Sequence, residues 1–112
     1  MVKSLQVAGR LIELDEDLCL VRLADWDEQV AQALAEQEGI ELQAEHWLVL
    51  YALRDFYQEF DLSPPNRALV KYLAQRLGKE VGNSLHLNSL FKGTPAKLAA
   101  RLAGLPKPAN CF

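Results

Sequence analysis

A cysteine at position 111 follows the run Gly104-Leu105-Pro106-Lys107-Pro108-Ala109-Asn110 and is followed by Phe112. A thiolate is the nucleophile of cysteine chemistry, so the question is what this thiol can reach and what ionises it. Pro106 and Pro108 fix φ and remove two backbone donors, so the segment can neither continue a helix nor join a central strand. An extended, polyproline-like arm over residues 104–112 is expected, flexible at its tip and contributing little to the core. At roughly 3.1 Å per residue, Gly104 to Cys111 spans on the order of 20 Å. That carries a thiol into another protein's active site. The alternative is a frayed end that nothing reads. With three residues per turn, Lys107 lies near the thiol but not over it, and the carboxylate of Phe112 opposes a second negative charge. Cys111 is therefore expected to be an ordinary nucleophile until it enters a partner's basic pocket.

The other residues capable of chemistry have plainer readings. Cys19 sits in the apolar run Leu18-Cys19-Leu20-Val21 and is expected to be buried as a small hydrophobe. His46 and His86 lie in different segments, and no set of neighbours has metal-ligand spacing. His46 is expected to be a hydrogen-bonded structural residue, with no metal and no cofactor bound. Arg67 and Lys71 fall one turn apart on one helical face, while Arg76 and Lys79 share another. They form either a solvated face or a docking patch for an acidic partner or for tRNA. Asp15-Glu16-Asp17 is a solvated turn.

These residues need elements to position them. Leu5, Val7, Ile12, Leu14, Leu18 and Leu20 alternate, with Gly9-Arg10 and Asp15-Glu16-Asp17 interrupting them as turn signals, which predicts short antiparallel strands in a hairpin closing at Asp15 to Asp17. The rest is helical in pattern. Asp25 and Glu28 have capping-box spacing for a first helix ending at Gly39. A second helix from about Ala44 to Phe60 is apolar around most of its circumference and is expected to be the most buried. Ser63-Pro64 predicts the start of a third, which runs to Gly78. A shorter piece covers about Ser84 to Phe91, and Thr94-Pro95 opens the last helix, which Gly104 ends. The fold class is mainly α: a small N-terminal β-hairpin, a compact bundle of about five helices, and the extended arm.

At 112 residues the chain makes one domain. Half its residues are hydrophobic, 24% are charged and the formal charge is -3. That balance disfavours a nucleic-acid surface as the main function, because phosphate binders carry a basic stripe. No apolar run approaches the length of a membrane span, and Met1-Val2-Lys3-Ser4 has no apolar stretch of a signal peptide behind it. Two cysteines without an export signal read as reduced thiols, so the cytoplasm is the expected compartment. The remaining alternative function is a small helical adaptor or DNA-binding module using the helix from Pro64 to Leu77. The negative charge disfavours sequence-specific DNA binding.

Gly104-Leu105-Pro106-Lys107-Pro108 followed by two residues and Cys111 resembles the C-terminus of the TusE/DsrC family of sulfur-relay proteins. The resemblance extends to Asp25-Trp26, Ala31 to Ile40, His46-Trp47, Leu53-Arg54-Asp55-Phe56-Tyr57, Pro65, Arg67, Lys71 and Leu90-Phe91. It implies a sulfurtransferase-type persulfide carrier, with Cys111 holding sulfane sulfur. It also implies an upstream donor of the TusBCD type and a downstream tRNA-thiolating enzyme of the MnmA type, which makes wobble 2-thiouridine. Gly104, Leu105, Pro106, Lys107 and Pro108, with Arg67 and Lys71, are the implied arm and docking residues. Family members that serve dissimilatory sulfite reductase carry a second arm cysteine where this chain has Ala100, so the likeness is to the TusE branch. Ala109 and Asn110 replace a usual Thr and Gly. Gln43 replaces a capping Thr, and Leu18-Cys19 replaces Gly-Phe.

Overall fold

The computed structural model describes residues 3–108. Strands β1 (Lys3–Val7) and β2 (Arg10–Leu14) pair antiparallel, with Leu5 opposite Ile12 and Val7 opposite Arg10. The hairpin closes at Ala8-Gly9, not at Asp15 to Asp17 as expected. Both turn residues have positive φ (49° and 80°), the two-residue turn whose twist matches that of paired strands. Asp15 to Asp17 instead makes a second turn. There the Asp15 carboxylate accepts from the Asp17 and Cys19 N–H groups at 2.9 and 3.0 Å. The chain returns only as a single bridge from Leu14 to Leu20.

A 3-10 turn, Leu23–Asp25, leads to α1 (Glu28–Gln37). Asp27, not Asp25, caps α1, accepting from the Val30 N–H at 2.9 Å. Gly39 ends it with φ +69°. Helix α2 (Ala44–Phe60) has the expected bounds. The structure supplies a cap at Gln43, the position where a capping Thr is usual in the family it resembles. The Gln43 N–H donates to His46 Nδ1 at 3.0 Å, which leaves Nε2 to donate to the Leu90 carbonyl, also at 3.0 Å. His46 is buried with its ring edge-on to Phe91 at 5.3 Å. His46→Ala removes both bonds at once, leaves the Gln43 N–H and the Leu90 carbonyl without their partner, and opens a cavity against Phe91. It is expected to cost about 3 kcal/mol in denaturant melts; a loss below about 1 kcal/mol would show that water replaces the ring.

Helix α3 (Asn66–Leu77) starts after Pro65, not at Ser63-Pro64. A residue before proline is driven out of the α region, so Pro64 stays extended and the helix waits for Pro65. Helix α4 (Ser84–Leu90) is capped by Asn83, and α5 (Pro95–Leu102) begins with proline. The first free N–H groups of α5 are met by a distant side chain, since Ala96 N–H donates to Asn66 Oδ1 at 3.0 Å.

The most buried helix is α5, not α2. Six of its eight residues are buried (Pro95, Ala96, Leu98, Ala99, Ala100 and Leu102), and it packs on α1, α2, α3 and α4. Small alanines let the neighbouring helices approach closely. By contrast α2 spends part of its apolar circumference on exposed Leu48, Tyr51 and Phe60. No helix among the described residues is long and apolar enough to cross a membrane. The end of the central helix is therefore where the C-terminal segment begins.

Candidate functional site

Cys111, with Ala109, Asn110 and Phe112, lies outside the described residues. The structure places the platform from which they depart. At the end of α5, Gly104 takes φ +75°. The Gly104 N–H donates to the Arg101 carbonyl at 3.1 Å, and the Leu105 N–H to the Ala100 carbonyl at 2.9 Å. This is a left-handed helix stop whose hydrophobic residue turns back onto the body. Leu105 is 1% exposed, which stabilises the junction by about 1.5–3 kcal/mol.

Three side chains from three parts of the chain then fasten the carbonyls of this segment. Trp26 Nε1 donates to the Leu102 carbonyl at 2.9 Å. Arg54 Nη1 donates to the Ala103 carbonyl at 2.7 Å, and its guanidinium stacks 4.3 Å over the Trp26 ring. Ser63, 3% exposed, donates its hydroxyl to the Pro106 carbonyl at 2.6 Å. Burial pulls Arg54 below the ordinary guanidinium value, yet it remains a cation at any physiological pH. The carbonyls it faces sit at a helix C-terminus, where a positive charge is favoured. Each fastening contributes about 1 kcal/mol, more for the charged donor.

The expected arm is thus amended at its base. Gly104, Leu105 and Pro108 are buried, Pro106 and Lys107 are exposed, and Lys107 Nζ lies 3.8 Å from Asp17 Oδ1. Residues 104–108 lie against the body, contributing to the core more than expected. Trp26, Arg54 and Ser63 are the site residues that reading by pattern missed. One signal was present: Arg54 is the only Lys or Arg in the largely apolar helix α2, and a half-buried cation needs a hydrogen-bond partner.

The other candidates scatter. Arg67 and Lys71 are exposed on α3 and, with Asn66, Val70 and Ser84, line a shallow groove. The structure does not bring them together with Lys107, which lines a separate cavity. Arg76 pairs with Asp55 and Tyr72. His86 pairs with Glu45. Among the described residues no cluster of three or more His, Cys, Asp or Glu could hold a metal. Ala100 is fully buried on α5.

Cys19 is 3% exposed, and burial, then the carboxylates of Asp15 and Asp17, push its thiol from 9.0 up to about 11. It carries roughly 100-fold less thiolate at neutral pH than an unperturbed cysteine. Native labelling by iodoacetamide is expected to spare it. The raised value also gives a stability slope. Above about pH 9 the unfolded chain loses the Cys19 proton while the folded chain keeps it, so stability falls as pH rises to about 11. Wild type is expected to lose about 2–3 kcal/mol more than Cys19→Ala across that window; parallel pH profiles would show the thiol to be solvated.

The comparisons with known proteins place this β-hairpin, five helices and fastened C-terminal segment in a family. The chain matches the family described as DsrC like protein over residues 6–112. It belongs to this TusE/DsrC family and is TusE-like. It is 50% identical over 108 residues to the sulfurtransferase TusE homolog of Haemophilus influenzae, covering 96% of this chain and 99% of that protein. With sulfurtransferase TusE of Escherichia coli K12 it is 48% identical over 104 residues, covering 93% and 95%. The solution structure of Allochromatium vinosum DsrC superposes with a TM-score of 0.91 at 44% identity, covering all of both chains. Crystalline oxidised DsrC of Archaeoglobus fulgidus, described as the gamma subunit of dissimilatory sulfite reductase, gives 0.84 at 40%, covering 98% of this chain and 100% of that one.

Proposed function

We propose that this protein is a sulfur carrier of the TusE type, in which Cys111 accepts sulfane sulfur and delivers it for wobble 2-thiouridine synthesis. The observation that supports it most is the likeness to proteins named sulfurtransferase TusE at 48–50% identity over nearly the whole chain. The Cys111 thiolate attacks the terminal sulfur of a donor persulfide. The donor's sulfur–sulfur bond breaks, the donor leaves as a thiolate, and Cys111 becomes a persulfide. No net oxidation occurs, so neither metal nor cofactor is called for. The second transfer hands the terminal sulfur to a tRNA-thiolating enzyme of the MnmA type, and the donor is of the TusBCD type. Ala100, buried where sulfite-reductase partners carry a second cysteine, favours the relay over the reductase role. The setting is the reducing cytoplasm, where both thiols stay free.

Reconstitution tests this reading. Donor complex, thiolating enzyme, ATP and tRNA are combined with and without this protein, and 2-thiouridine is measured by nucleoside mass spectrometry. Thiolation is expected to depend on the protein at low donor concentration. Equal thiolation in its absence would remove it from the relay.

A further inference from the structure

Beside the root of the arm lies a cavity of about 210 Å³, lined by Asp17, Cys19, Glu38, Lys97, Arg101 and Lys107, with Thr94 and Leu98 at its edge. Its walls carry three cations and two carboxylates. Glu38 Oε1 takes Arg101 Nη1 at 3.0 Å, and Asp17 stands a long 3.8 Å from Lys107. Lys97 has no ion pair among the described residues and is exposed. The cavity is net positive in a protein that is net negative.

Arg101 supplies the second observation. Its side chain is only 12% exposed, and its Nε is a buried donor with no acceptor among the described residues. An unpaired buried donor costs about 1–3 kcal/mol, so native structures rarely leave one without a reason. The geometry of the guanidinium gives the reason a shape. Nη1, taken by Glu38, lies cis to Cδ, so Nε and Nη2 share the opposite edge. That edge is the two-donor fork that an oxyanion fits. A cavity of this size is several times the share of one water, about 30 Å³. It is below the roughly 300–1,000 Å³ of pockets for drug-sized ligands.

We propose that this cavity is a binding site for a small oxyanion of the sulfate or sulfite type, held by the Nε–Nη2 edge of Arg101 with Lys97 and Lys107 as charge partners. Lys97 and Arg101 belong to α5 and Lys107 to the arm. A bound dianion therefore joins arm to body, taking over from the long contact between Lys107 and Asp17. Cys19 forms part of the wall as an un-ionised thiol and adds no competing charge. The proposal does not depend on Cys111 being a carrier.

The test is an amide-shift NMR titration of the full-length protein with sodium sulfate and, separately, sodium sulfite, against sodium chloride at equal ionic strength. Saturable shifts are expected at Cys19, Lys97, Arg101 and Lys107. Arg101→Lys keeps the charge but loses the fork, and is expected to weaken affinity at least tenfold, about 1.4 kcal/mol. Lys97→Gln, on an exposed residue that leaves the core intact, is expected to weaken it several-fold and serves if Arg101→Lys folds poorly. Shifts that rise linearly without saturation, or that scatter over Arg67, Lys71 and Lys79, would overturn the proposal. Unchanged affinity in Lys97→Gln and Arg101→Lys together would overturn it as well.

Discussion

Cys111→Ser is expected to abolish persulfide acceptance completely while leaving thermal stability within experimental error of wild type. Incubated with a persulfide donor, the intact protein gains about 32 Da, the mass of one sulfur, in a single step; the serine variant gains nothing. The asymmetry with Cys19 makes the result interpretable. Cys19 is buried and its thiol is held un-ionised up to about pH 11, so it cannot stand in for the missing nucleophile. Cys19→Ala should therefore gain the same 32 Da as wild type. Persistence of the gain in Cys111→Ser would move the carrier role to Cys19 and refute the assignment.

The second large effect is expected at the root. A Cβ added to Gly104 would lie 2.5 Å from Trp26 Cδ1 and 2.8 Å from its Cβ and Cγ. The glycine's φ of +75° adds a left-handed conformation that costs an L-residue about 1–2 kcal/mol. Forcing the indole aside adds overpacking of about 1–3 kcal/mol. Gly104→Ala is therefore expected to lose about 3 kcal/mol of stability. Because Trp26 also donates to the Leu102 carbonyl and carries the Arg54 guanidinium, the shift propagates to two of the three fastenings. Transfer to the acceptor protein should slow by more than tenfold, while alkylation of Cys111 by a small reagent stays within twofold. Equal slowing in both assays would mean that the root tunes the thiol itself and not its presentation.

What could be read from the sequence follows the range of the interactions. The stops at Gly39, Gly78 and Gly104 were legible because a left-handed residue advertises itself as glycine, and each has positive φ. The span of α2 and the burial of Cys19 followed from local pattern, and His46 is the hydrogen-bonded structural residue it was expected to be. The hairpin turn was legible only in part: Gly9 stands out as a turn signal, but Ala8 adopts positive φ and an alanine gives no sign of it, so the closure was placed at Asp15 to Asp17 instead. Ser63 illustrates a different failure. A serine before a proline has the local form of a helix cap, but its hydroxyl is spent on Pro106, 43 positions away. The fastenings by Trp26 and Arg54 bridge 76 and 49 positions. The cap of α5 comes from Asn66, 30 positions upstream. Periodicity and capping rules see about one turn of helix, so contacts at such separations lie beyond them.

The bond between Ser63 and the Pro106 carbonyl fixes the length of a leash. Counted from Gly104 the thiol commands a wide radius, but counted from Pro106 only four residues lie between the anchor and Cys111, which is five steps along the chain. Covalent geometry caps that reach at about 18 Å. A thiol so short of line cannot search for its acceptor through solution; the two proteins must already be face to face. On the proposed carrier role, selection of the correct acceptor then passes from the cysteine to the surfaces around its anchor, among them exposed Tyr51 on α2, which lines a hollow with Leu105. If Cys111 carries the sulfur as proposed, a protein whose shape cannot settle within that radius is refused it however reactive its own cysteine.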